Sequence, residues 1–272
     1  MKKTVLITGA STGFGKLTAK KFQQEGWNVI ATMRSPEKET ELIQLNNVLV
    51  NQLDVTDNES ITKAVTEGLE RFGKIDVLIN NAGYGIFGPM EDAKEEQFRR
   101  QMEVNYFGLI NVTKAVLPHF RNNKNGIIIN YSSIGGRVTF PYTSMYHATK
   151  FAVEGLTESL QYELNPFGIH LKLIEPGAFN TDFANRSMDW VAIEEDNEYK
   201  PKLDAFLKAA EVMIQAGQDP QEVADKTFEA ATDNTSQLRY PVGADAAQLL
   251  IARSQMDDVQ FKEMIAAQMG LL

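Results

Sequence analysis

Two side chains with exchangeable protons stand four residues apart in YHATK, Tyr146 and Lys150. On a helix that spacing places both on one face. A phenol titrates near about 10 and a lysine ammonium near about 10.4 in water, so neither exchanges protons readily at neutral pH. A cation held a few ångströms from a phenol lowers its pKa, whereas two exposed side chains at this spacing barely interact. The pair serves proton transfer only if its surroundings make it do so; the bland alternative is a surface aromatic beside a solvated charge.

A second stretch points to phosphate binding. TGASTGFG, Thr8 to Gly15, spaces Gly9, Gly13 and Gly15 as GxxxGxG between the apolar run TVLIT (4 to 8) and a helical pattern from about Gly13 to Glu25. Glycines let such a turn tighten and let backbone approach a pyrophosphate at the positive end of the helix. The spacing is close to the GxGxxG dinucleotide fingerprint without matching it, and a plain tight turn competes with it. Gly9 to Gly13 also fits G-x-S-x-G, the nucleophile elbow of α/β-hydrolases, with Ser11 as nucleophile and His147 or His170 as base. An elbow belongs on a central, mid-chain strand, however, and only one strand precedes this serine.

Where the second apolar run ends, ATMRS places Thr32, Arg34 and Ser35 and no acid. In dinucleotide-binding sheets an acid there takes the adenosine ribose hydroxyls, whereas a basic residue accommodates a 2′-phosphate. Arg34 can fork onto phosphate, with Ser11 and Ser35 as further donors, so NADP(H) is expected over NAD(H). Asp54, closing the third run, is a candidate for the adenine amino group or for capping the next helix.

These residues need a scaffold, and the chain supplies a regular one. NVIATM (28 to 33), VLVNQLD (48 to 54), IDVLINN (75 to 81), GIIINYS (126 to 132) and IHLKLIE (169 to 175) read as buried strands like the first, and LRYPV (238 to 242) as a last one. Helical stretches lie near 57 to 72, 94 to 118 and 144 to 165. The alternation implies an α/β class, a doubly wound Rossmann-type parallel sheet with helices on both faces. With 272 residues and no linker-like tract, a single domain over 1 to 272 is expected, residues 182 to 216 forming a flap over the C-terminal strand ends.

Bulk properties narrow the partners. A net charge of -9 argues against a nucleic-acid or anionic-membrane surface. The absence of Cys excludes disulfides, thiolate catalysis and cysteine zinc sites, and His119, His147 and His170 show no metal-ligand spacing. MKK before a short apolar run superficially resembles a secretory signal but the run stops at Gly9, and no stretch reaches a membrane span of about 20 apolar residues. A cytoplasmic protein is expected.

Taken in order, TGASTGFG, LDVT, NNAG (80 to 83), VNYFG, YSSIGG, YHATK and PGAFNT resemble the short-chain dehydrogenase/reductase family in its single-domain form, from Thr8 to about Thr181. TMR, PGAFNTDF and RYPVGADA look most like its steroid- and retinol-type branch. The resemblance implies a catalytic tetrad of Asn105, Ser133, Tyr146 and Lys150. Ser133 fits better than Ser132 because it lies thirteen positions before Tyr146, the family's interval. In carbonyl reduction Ser133 would donate to the substrate oxygen, Tyr146 would be the acid, Lys150 would lower the phenol's pKa and hold the nicotinamide ribose, and Asn105 would hold a water near that lysine. The cofactor's own positive charge when oxidised would help to acidify Tyr146.

Implied cofactor contacts are Gly9, Ser11, Gly13, Phe14 and Gly15 in the loop, and Arg34, Ser35, Asp54 and Val55 at the adenosine end. Asn80, Asn81, Ala82 and Gly83 would form a floor, Tyr146 and Lys150 would meet the nicotinamide ribose, and Pro176, Gly177, Phe179 and Thr181 would meet the carboxamide and pyrophosphate. Phe87, Phe140, Tyr142, Phe183, Met188 and Trp190 are expected as walls of a pocket for a small apolar ketone, aldehyde or secondary alcohol. Family members assemble through the two long helices, which implies a homodimer or homotetramer. A non-catalytic NADP-binding sensor on the same fold is the alternative from another class. Glu175 has no reading at this level.

Overall fold

The computed structural model describes residues 2–180, 187–215 and 217–272. The apolar runs fold as expected: β1 (Thr4–Ile7), α1 (Gly13–Gln24), β2 (Asn28–Met33), β3 (Val48–Gln52), α2 (Asn58–Phe72), β4 (Val77–Asn80), β5 (Gly85–Phe87), α3 (Glu95–Met102), α4 (Leu109–Asn123), β6 (Gly126–Tyr131) and α5 (Ser144–Leu164). There follow β7 (Ile169–Pro176), β8 (Met188–Trp190), α6 (Lys200–Gln215), α7 (Gln221–Thr232), β9 (Arg239–Val242), α8 (Ala244–Gln255) and α9 (Asp258–Gln268). The main sheet runs β3-β2-β1-β4-β6-β7-β9, and its pairings are parallel.

Successive strand residues point to opposite faces, so continuous apolar strands feed two cores. Val5 and Ile7 join Phe22, Trp27, Val223 and Tyr240 on the α1/α7 side. Leu6 joins Ile61, Val112, Val116 and Phe120 on the α2/α4 side. A third cluster packs Leu203 and Phe206 of α6 against Leu249 and Phe261 of the C-terminal helices. Among the described residues no helix is long and apolar enough to cross a membrane, and no acidic or histidine group could hold a metal ion.

Two departures from the sequence expectation bear on the site. The helix expected over 94 to 118 is interrupted by a π-helical turn, Glu103–Gly108, and α4 then continues through Pro118 to Asn123. Burial of Val112, Val116 and Phe120 along one stripe holds α4 together despite the proline. The second departure is the parallel pair β5 and β8, each three residues long, with Phe87 opposite Trp190. Strands this short carry no periodicity for a sequence to display.

Candidate functional site

The chain order reverses between β1, flanked by β2, and β4, flanked by β6; open α/β sheets form a ligand crevice at such a point. A cleft of about 610 Å³ lies here, reached by the glycine loop, the ends of β2, β4 and β6, α5, and the segment after β7. The first turn of α1 starts at Thr12 without a side-chain cap, so its backbone N–H groups are left for an anionic ligand. Gly9, Ser11, Gly13 and Phe14 line the cleft. Gly15 acts one layer deeper: a Cβ there would lie 2.4 Å from Gly9 O and from Asn81 Nδ2, so the turn closes onto the loop after β4 only with glycine.

Asn81 and Ala82 donate their backbone N–H groups to Thr8 Oγ1 at 3.0 and 3.1 Å, and Asn81 Nδ2 donates to Thr8 O at 2.8 Å. With Gly83, they form one wall of the cleft. Asn80, expected on that floor, points instead into the core, where Nδ2 donates to Thr113 Oγ1 and Asn130 Oδ1. Strand alternation puts it on the opposite face from Asn81.

Where β2 and β3 end, Arg34, Asp54 and Val55 line the cleft. Arg34 is exposed and, among the described residues, makes no ion pair. Asp54 Oδ1 accepts from Thr56 N and Oγ1, and the cap of α2 is Asp57, not Asp54. Ser35 lies outside the lining, at the start of a short 3-10 turn. Pro176, Gly177 and Phe179 close the other side, Phe179 edge-on to Phe14 at 5.6 Å, while Asp245 holds the Ala178 N–H at 2.7 Å. Thr181 and Phe183 lie outside the described residues.

The proton-bearing groups meet at the floor. Ser133 starts the 3-10 turn after β6; its Oγ accepts from Gly135 N at 3.0 Å and is hydrogen-bonded to the Tyr146 side chain. Ser132 also touches the cleft, but its hydroxyl donates to Ser133 O at 3.5 Å. Lys150 is buried, its Nζ donating to Tyr131 O at 2.8 Å and lying 5.7 Å from the Tyr146 ring centroid. Burial lowers the lysine to about 8, opposed by the negative field of Glu154. Burial pushes the Tyr146 phenol above its usual value, opposed by the Ser133 hydrogen bond. Lys150 does not by itself hold the phenol low: its ammonium turns to a backbone carbonyl, and desolvation of the phenol prevails.

Asn105 sits in the π-helical turn, buried behind the cleft wall. Its Oδ1 accepts from Tyr84 N, and its Nδ2 donates to Tyr84 O at 2.7 Å and Thr149 Oγ1 at 3.1 Å. A π turn re-aims a side chain that a regular helix would carry elsewhere, and such turns concentrate at functional sites.

Of the expected substrate walls, Met188 lines the cleft and Phe87 stacks on Tyr146 at 6.0 Å, with Trp190 against it at 5.5 Å. Phe140 and Tyr142 do not line it; they pack into the third apolar cluster, Tyr142 against Phe206. Tyr84, Arg100, Val104, Asp189 and Ile214 line the cleft and were not anticipated. Tyr84 had one available signal, its place directly after NNAG; the others arrive by tertiary packing alone.

Neither histidine offered as a base for Ser11 in the nucleophile-elbow reading is placed to serve it. Both ring nitrogens of His147 are bonded to backbone at Gly135 and Phe140, and His170 is exposed at the start of β7, at the opposite end of the sheet from the glycine loop.

Glu175 acquires an account only in three dimensions. It is fully buried at the end of β7, 3.2 Å from Arg137 and 3.4 Å from Arg239, which also pairs with buried Glu154 at 2.9 Å. Burial, reinforced by Glu154, raises the Glu175 carboxyl to about 7 against its ordinary 4.5. A carboxyl raised on folding stabilises fully below pH 4.5, and that contribution is lost as pH rises through about 7. Glu175→Gln should therefore gain on the order of 2 kcal/mol at pH 8 and little at pH 5. Urea unfolding at the two pH values reads this directly; an equal effect at both would show that Glu175 binds no proton on folding.

Comparison with known proteins agrees with this geometry. The family model described as short chain dehydrogenase matches residues 3–192. A 3-ketodihydrosphingosine reductase of Bacteroides thetaiotaomicron is 39% identical over 92% of this chain and 91% of its own. A short-chain dehydrogenase from Streptomyces avermitilis superposes with a TM-score of 0.86 at 34% identity, over 99% of this chain and 98% of that one. ElxO with NADP bound superposes with a TM-score of 0.74 at 30% identity, over 89% and 98%.

Proposed function

The chain belongs to the short chain dehydrogenase family, an oxidoreductase family, and from that premise we propose that it reduces an apolar ketone or aldehyde with NADPH, or oxidises the matching secondary alcohol. The bound nicotinamide would supply or accept the hydride. The observation that carries the reading is the convergence of Ser133, Tyr146 and Lys150 at the floor of a cleft whose other end offers uncapped helix N–H groups. In this reading Ser133 donates to the carbonyl oxygen as charge builds on it, and Tyr146 delivers the proton. Lys150 keeps two ammonium hydrogens beyond the one given to Tyr131, enough for the ribose hydroxyls. Asn105 has a carbonyl lone pair left for a water behind the lysine.

The preference for NADP(H) rests on Arg34, a cation on the adenosine-end wall with no acid beside it at the end of β2, and is supported by the likeness to ElxO with NADP bound. A charge-assisted contact to a 2′-phosphate is worth about 1.5–3 kcal/mol, so Arg34→Ala should weaken NADPH binding about 10- to 100-fold and leave NADH within about threefold. Equal affinity of the unaltered protein for the two cofactors in an equilibrium titration would refute the preference.

The deciding experiment is a carbonyl panel assayed with each cofactor, spanning alkyl ketones, aldehydes and, following the Bacteroides relative, 3-ketodihydrosphingosine. Consumption of NADPH with an apolar carbonyl is expected. Tight NADPH binding with no turnover across the panel would instead favour the sensor reading.

A further inference from the structure

His147 stands beside the proposed acid, and its ring is used on both sides. Phe140 N–H donates to Nε2 at 2.8 Å, and Nδ1 donates to Gly135 O at 2.7 Å. A carbonyl can only accept and a backbone N–H only donate, so one neutral tautomer, protonated at Nδ1, satisfies both contacts. The ring thereby ties three pieces together: α5, which carries Tyr146; the turn Ile134–Gly136, whose Gly135 N–H holds Ser133 Oγ at 3.0 Å; and the loop before α5. That loop closes on itself through Thr143 Oγ1 to Phe140 O at 2.8 Å and His147 N to Thr143 O at 3.0 Å. It also contains Tyr142 at φ +57°, a left-handed conformation that a non-glycine residue keeps only where its surroundings enforce it.

We propose that His147 is a positioning residue: a neutral imidazole bridging two backbone groups that fixes the Ser133 turn against α5, and so holds the Ser133 and Tyr146 hydroxyls at hydrogen-bonding distance. The inference rests on the functional reading of those two hydroxyls and goes beyond it to a residue that touches neither substrate nor cofactor. Protonation would put an N–H against the Phe140 N–H and release the loop. Burial lowers the ring below its ordinary 6.5, opposed by the bond to Gly135. The titratable group recorded against the ring is Tyr146, with ring centroids 6.0 Å apart; Lys150 and Glu154 of α5 and Arg137 after the turn belong to the same packed elements, and none of them bonds to the ring.

A glutamine can imitate the bridge, since its amide oxygen accepts and its amide nitrogen donates, and a leucine cannot. His147→Leu should lower kcat about 100-fold with KM for the carbonyl and Kd for NADPH within about threefold. His147→Gln should restore kcat to within about fivefold of the unaltered protein and abolish the acid limb expected in its kcat profile below pH 6.5. Unchanged kcat in His147→Leu, or equal losses in both variants, would overturn the proposal. If the leucine variant does not fold, the pH profiles of the glutamine variant and the unaltered protein decide: a shared acid limb overturns it. Nitrogen-15 NMR of the ring gives a readout independent of turnover. An Nδ1–H tautomer at pH 7 is expected, and an Nε2–H tautomer or an imidazolium would sink the bridge even if the carbonyl panel succeeds.

Discussion

Tyr146→Phe should lower kcat for carbonyl reduction about 10³-fold while leaving NADPH affinity within about threefold. The substitution removes one oxygen, whose hydrogen bond is with Ser133, and leaves the ring on Phe87. Ser133 keeps its contact with the Gly135 N–H, so the turn is expected to stay in place. A buried phenol raised above its ordinary 10 is protonated at neutral pH, which suits reduction. The rate of reduction should stay flat through neutrality and fall as pH rises through the phenol's pKa in the complex, whereas alcohol oxidation needs the phenolate and should rise with pH. Both limbs should vanish in the phenylalanine variant. Residual turnover within about tenfold of the unaltered protein would mean that another group is the acid.

Lys150→Met should separate stability from activity. A lysine held near 8 in the folded protein and 10.5 unfolded is depressed, so below pH 8 it imposes the full cost of a buried ammonium. Between 8 and 10.5 the folded form sheds its proton first and stability rises with pH; above 10.5 the cost is gone. The difference of about 2.5 units corresponds to about 3 kcal/mol, and the lost bond to Tyr131 O subtracts about 1. The cofactor-free methionine variant should thus be about 2 kcal/mol more stable at pH 7, with the gap closing toward pH 10.5. Its kcat/KM should fall at least about 10²-fold, because in the proposed mechanism its ammonium holds the nicotinamide ribose. Denaturant unfolding without cofactor reads the first effect and steady-state kinetics the second. A variant destabilised at pH 7 would show that the lysine is part of the scaffold and not a strained functional group.

Both effects express a conflict between local chemistry and burial. Lys150 and Glu154 of α5 and Glu175 of β7 are buried ionisable side chains, and among the described residues Glu154 Oε1 and Glu175 Oε2 have no hydrogen-bond partner. Buried ionisable groups left partly unsatisfied reduce stability, and they concentrate where function requires them.

Much of the fold was legible because it depends on short-range pattern. Seven apolar runs separated by helical stretches specify a covered parallel sheet, and the seven strands of the main sheet fall within the expected runs apart from Pro176, which extends β7 by one residue. The ends of those strands locate the cleft before any coordinate is known. What periodicity could not display was the three-residue pair β5 and β8, the π turn that aims Asn105, and the continuation of α4 through Pro118.

By itself the sequence determined the order of elements, the glycine turn, the placing of Arg34 without an acid where the second strand ends, and the four-residue spacing of Tyr146 and Lys150, all carried by neighbours along the chain. Only the tertiary structure decided that Asn80 faces the core, that Phe140 and Tyr142 pack away from the cleft, and that Glu175 meets Arg137 and Arg239. It alone set the phenol high and the lysine low, and gave His147 two backbone partners. The physical reason is the same for each: which face a side chain presents, how much water it loses and which distant group it meets are properties of packing, and no local spacing encodes them.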